Sequence, residues 1–65
     1  MASGPDIILI NNGATWTLQA GTERGFTWLH DNAGTDEREI EMEASHARAL
    51  AVRAGAQGLA VTSDS

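Results

Sequence analysis

Three glutamates at alternating positions, Glu39, Glu41 and Glu43, are the residues of this chain whose types and spacing could do chemistry. On an extended strand every second side chain points the same way, so the carboxylates form a straight row about 6.8 Å apart. Asp36 and Glu37 extend that row at one end. DNA phosphates advance about 3.4 Å each along a strand, which makes the row commensurate with every second phosphate. The chemistry on offer is recognition: such a row can mimic nucleic acid and occupy a basic groove on another protein. The structural alternative is an edge strand whose outward charges stop it from pairing with other chains.

Other constellations are weaker. Ser45, His46 and Asp31 supply the residue types of a hydrolytic triad, but a serine adjacent to its histidine at a helix start matches no triad geometry. Ser45 reads instead as a helix N-cap, and His30 as a base near a helix C-terminus, where positive charge is favoured. Asn12-Gly13 lacks the glycine spacing of a phosphate-binding loop. There is no cysteine, and His30 and His46 are the two histidines. Disulfides and thiolate zinc sites are therefore excluded, and the histidines are too far apart in sequence to staple the fold with a metal. No catalytic residue, metal or cofactor is expected. Trp16 reads as core. Trp28 falls off the apolar stripe of its helix and reads equally as core or as an anchor for a partner, with Arg24 four residues earlier offering a cation–π contact.

Charge narrows the partner. Nine acidic residues face four arginines and no lysine, for a net charge of −5. Such a chain is repelled by nucleic acid and by anionic lipid, and is attracted to proteins with basic surfaces. The longest apolar run, Ile7 to Ile10, is four residues, against about 20 for a membrane span. The N-terminal residues up to Asp6 carry neither a basic region nor a long apolar stretch, so no signal peptide and a cytoplasmic location are expected. A single domain over residues 1–65 is expected, with flexible tails at 1–5 and 63–65.

The elements that must position the acidic row follow from periodicity. Asp6–Asn11 and Ala14–Gln19 read as a hairpin, with Asn12-Gly13 as a type I′ turn. Trp16, Leu18 and Ala20 alternate with Thr15, Thr17 and Gln19, the pattern of a strand with one solvated face. Thr22 offers an N-cap for a helix over 23–33, with Phe26, Leu29 and Ala33 on its apolar face and Gly34 as its left-handed end. Arg38–Ala44 alternates as a strand. His46–Gln57 reads as an alanine-rich helix that buries Ala47, Leu50, Ala51 and Ala54, followed by Gly58 and a short strand at Leu59–Val61. The expected fold is α+β in the order β-β-α-β-α-β: a four-stranded mixed sheet with two helices on one face. Its core is expected to hold Ile7, Leu9, Trp16, Leu18, Phe26, Leu29, Ile40, Met42, Leu50, Leu59 and Val61.

The run Ile8-Leu9-Ile10-Asn11-Asn12-Gly13-Ala14-Thr15-Trp16-Thr17-Leu18, followed by Thr22 to Leu29, resembles small proteins carried by proteobacteria and their prophages. The short, acidic profile is also similar to anti-CRISPR proteins of phages and mobile elements. No residue motif defines that class, so no residue role carries over from it. What the resemblance implies is a partner: a basic, DNA-recognising surface of a CRISPR effector. The expected binding residues are Asp36, Glu37, Glu39, Glu41, Glu43 and Trp28, on a monomer or weak homodimer. The alternative from a different class is a small structural or regulatory module, dimerising through a sheet edge or through Trp28.

Overall fold

The computed structural model describes residues 4–64. Its elements are β1 (Ile7–Asn11), β2 (Thr15–Ala20), α1 (Glu23–Ala33), β3 (Glu39–Glu43), α2 (Ala44–Ala56) and β4 (Val61–Asp64). They build a four-stranded mixed sheet in the order β3-β2-β1-β4, with both helices on one face, as the periodicity predicts. β2 runs antiparallel to β1 and to β3, and β4 runs parallel to β1. β3 and β4 therefore lie at opposite edges, and α2 must cross both inner strands to join them.

The hairpin turn sits one residue later than expected. Asn12 N–H donates to Thr15 C=O at 2.9 Å, so Gly13 and Ala14 are the central residues. A type I′ turn needs positive φ at both of its central positions. Here only Gly13 has it, at 98°, and the expected turn centred on Asn12-Gly13 is not formed. Asn11 Oδ1 instead accepts from the Gly13 N–H at 2.8 Å, which braces the loop from its strand side.

α1 begins as expected at Thr22, whose hydroxyl oxygen accepts from Gly25 N–H at 3.1 Å. It ends at Gly34, left-handed at φ 68°, with its N–H on the His30 carbonyl. The buried stripe, however, is Gly25, Trp28 and Leu29 rather than Phe26, Leu29 and Ala33. The cause is a close approach: a Cβ on Gly25 would lie 1.9 Å from the Asp6 carbonyl oxygen. Pressing this bare turn against the start of β1 rotates Trp28 inward and leaves Phe26 half-buried. The Trp28 indole N–H is satisfied by Gln57 Oε1 at 2.8 Å.

α2 starts two residues earlier than predicted, at Ala44 rather than His46. Its N-cap is Glu43, without a side-chain capping bond, so Ser45 is not the cap. Ser45 lies in the first turn, and its hydroxyl donates to Glu43 Oε1 at 2.7 Å. The C-terminal end follows the glycine pattern: Gly58 N–H donates to Gly55 C=O and Leu59 N–H to Ala54 C=O, with Gly58 at φ 90°. These are the paired bonds of a Schellman ending, and Leu59 is buried along with Ala54.

The last strand is Val61–Asp64, displaced from the expected Leu59–Val61 because Leu59 is consumed by that helix ending. Ser63 and Asp64 thus pair with Leu9 and Ile10 of β1 rather than trailing as a tail. Residues 1–3 and 65, also expected as tail, lie outside the described residues. The core gathers Ile7, Leu9, Leu18, Trp28, Leu29, Leu50 and Leu59 with small alanines of α2, while Trp16, Ile40, Met42 and Val61 pack half-buried around it.

Candidate protein-binding face

The two helices cover the sheet face that carries Ile7, Leu9, Leu18 and Ala20, all buried. Strand alternation sends the intervening side chains to the opposite, uncovered face. Register arranges them in columns. Glu39, Glu41 and Glu43 of β3 stand beside Gln19, Thr17 and Thr15 of β2. Gln19 and Thr17 stand in turn beside Ile8 and Ile10 of β1. All three glutamates are exposed, and the threonines, Gln19 and the isoleucines are half-buried.

Two of the three carboxylates are partly held. Thr15 Oγ1 donates to Glu41 Oε2 at 2.6 Å, which draws Glu41 back across the sheet. Glu43 accepts from Ser45, as above. No basic side chain pairs with Glu39, Glu41 or Glu43 among the described residues. The arginines are engaged elsewhere or lie on the helical side. Arg24 donates to the Gly58 carbonyl at 3.0 Å. Arg38 pairs with Glu23 at 2.9 Å and lies 5.2 Å from the Phe26 ring centroid, so the cation–π contact expected between Arg24 and Trp28 is made by a different pair. Arg48 and Arg53 are exposed on α2, on the other side of the sheet. The four arginines are thus gathered away from the glutamate row.

Three of the expected binding residues lie on β3 and three lie outside that strand. Asp36 is exposed but lies 3.3 Å from His30 Nδ1 at the end of α1, where it neighbours the helix rather than continuing the row. Glu37 is exposed in the loop before β3, its N–H held by Thr35 Oγ1 at 3.1 Å. Trp28 is 6% exposed and its ring is inside the core. It has no surface to offer a partner, so the expected anchor role is corrected to a structural one. The columns of Thr15, Thr17, Gln19, Ile8 and Ile10 were not joined to the acidic row in the sequence, because alternation gives each strand's faces but not which strands are neighbours.

The buried carboxylate belongs to Asp6, 7% exposed. Thr22 Oγ1 donates to its Oδ1 at 2.6 Å and Ala60 N–H to its Oδ2 at 3.0 Å, with Arg24 Nη1 3.9 Å from Oδ2. The Thr22 hydroxyl, then the Ala60 N–H, hold the carboxyl below its usual pKa; burial opposes them and the Arg24 charge assists. These partners tie it into the frame at the end of the sheet where β1 begins.

Among the described residues there is no cavity and no cluster of metal-ligating side chains. Among the same residues no helix is long and apolar enough to cross a membrane. No family model, curated protein or solved structure matches the chain.

Proposed function

We propose that this protein is a non-catalytic binding domain whose acidic sheet face occupies a basic, nucleic-acid-recognising surface of a protein partner. The observation that carries the reading is the unpaired row: Glu39, Glu41 and Glu43 are exposed together on an uncovered sheet face and, among the described residues, have no basic side chain paired with them. A carboxylate row of this kind presents fixed negative charge at regular intervals, and its attraction to a basic surface speeds encounter and fixes register. The resemblance to small acidic phage proteins directs the choice of target to a CRISPR effector. There the domain would compete with DNA without any chemical step, cofactor or metal.

The test is competition. Increasing amounts of the protein should displace a labelled DNA target from a purified effector complex, and displacement should weaken as salt rises, because screening shortens to about 8 Å at physiological ionic strength. A protein that leaves DNA bound at every concentration and salt would refute the reading for that effector.

A further inference from the structure

The outer edge of β3 has a backbone as well as a charge pattern, and the two coincide. Ala20 N–H donates to Arg38 C=O at 2.7 Å across the β2–β3 boundary. In an antiparallel ladder the residues that exchange hydrogen bonds alternate along each strand. With Ala20 opposite Arg38 as such a pair, Leu18–Ile40 and Trp16–Met42 continue the series in the same register. Arg38, Ile40 and Met42 thus turn their backbone groups inward to β2. Glu39 and Glu41 turn their N–H and C=O outward, to the free edge. Among the described residues no backbone or side-chain hydrogen bond reaches those groups. Glu43 is different, because it is also the N-cap of α2 and its carbonyl opens that helix.

We infer that β3 is a docking edge for an extended basic segment of the partner, which adds to the sheet as a fifth strand. The backbone register carries this, and charge selects the occupant. A strand added antiparallel at β3 would hydrogen-bond to the outward groups of Glu39 and Glu41, and the residues directly opposite them would turn their own N–H and C=O to β3 and place their side chains on the same uncovered face. Arginine or lysine at alternating positions would then stand across from each glutamate, the arrangement in which opposite charges stabilise a cross-strand pair. The same geometry rejects a second copy of this chain. Antiparallel pairing of two β3 edges sets glutamate opposite glutamate, and like charges directly opposite are destabilising. An edge that repels its own kind and accepts a basic strand is a selective one.

This inference rests on the acidic face being the binding surface, and it narrows the partner to a strand with basic residues at every second position. The probes are short synthetic peptides of alternating arginine and threonine. One is methylated on the arginine backbone nitrogens, whose N–H groups would face β3. A second carries the same number of methyl groups on the threonine nitrogens, which would face away. Both have the same charge. The expected result is that methylation at arginine weakens binding to the intact protein by about tenfold or more relative to methylation at threonine. The unmethylated peptide should also slow hydrogen exchange at the Glu39 and Glu41 amides. Equal binding of the two methylated peptides, with exchange at Glu39 and Glu41 unchanged, overturns strand addition. In that case, loss of peptide binding in the variant carrying Glu39→Arg and Glu41→Arg would show that the acidic face still binds by charge alone. If the double variant binds as well as wild type, the broader reading of the face fails too. Slowed exchange at these amides with rising protein concentration and no peptide would overturn the inference in favour of a second copy.

Discussion

Asp6 joins segments that are distant in sequence: the start of β1, the cap of α1 through Thr22, and the link from α2 to β4 through Ala60. Its folded pKa is lowered, so its contribution to stability is complete above the unfolded value and is lost as pH falls through the folded one. Stability should therefore decline as pH drops below about 4, and the variant Asp6→Asn should show a shallower decline from a lower starting melting temperature. Melts across that range check this; a variant with the wild-type acid profile would show that Asp6 is not the group responsible. Gly25 acts on the same spot by having no side chain. Gly25→Ala sets a Cβ against the Asp6 carbonyl oxygen, so α1 must lift from β1 and the melting temperature should fall sharply. Trp28→Ala should cost about 3–5 kcal/mol, as expected for a large aromatic removed from a core. A denaturant titration that leaves Trp28→Ala as stable as wild type would restore the tryptophan to the surface role its position in the sequence allowed.

At the scale of elements, what the sequence made legible was whatever a local pattern decides. Thr22 and Gly34 bound α1, and alternation finds β2 and β3, because capping, left-handed glycine and strand period are properties of neighbouring residues. What escaped depends on distant contacts. The roll of α1 is set by Gly25 meeting Asp6, so no helical stripe read in isolation could put Trp28 inside. The neighbours of the glutamate row depend on β3 lying next to β2 and not next to β4. The acidic row itself was legible, but its separation from Asp36 was not, because that turns on His30 at the end of a helix. β4 was misplaced for a related reason: Ser63 and Asp64 look like tail residues until Leu59 is seen to close the helix ending. Its pairing with β1 is testable directly. Parallel register sets Ile8 beside Thr62, and the Ile7 N–H bond to Ala60 C=O places the Thr62 N–H on the Ile7 carbonyl. The Thr62 amide should exchange slowly, at a rate near those of β1. Exchange as fast as in a free chain end would remove β4 from the sheet.

The whole molecule is a sheet with a helical side and an acidic side, and we propose that the acidic side binds. A net charge of −5 is spread unevenly: among the described residues the row on β3 has no basic partner, while Arg48 and Arg53 sit across the sheet on α2. Binding by such a face should be lost when its sign is reversed, without loss of the fold. Glu39 and Glu41 are exposed, so replacing both by arginine should shift stability by only about 0.5 kcal/mol per site, with the Thr15 hydrogen bond to Glu41 as the contact given up. The decisive measurement is DNA displacement from a CRISPR effector complex by wild type and by the doubly reversed variant, at equal concentration and with matched thermal melts. Wild type is expected to displace DNA, and the reversed variant is expected to leave it bound. Equal displacement by the two proteins would contradict it, and would leave the glutamate row as a solvated guard on the edge of the sheet.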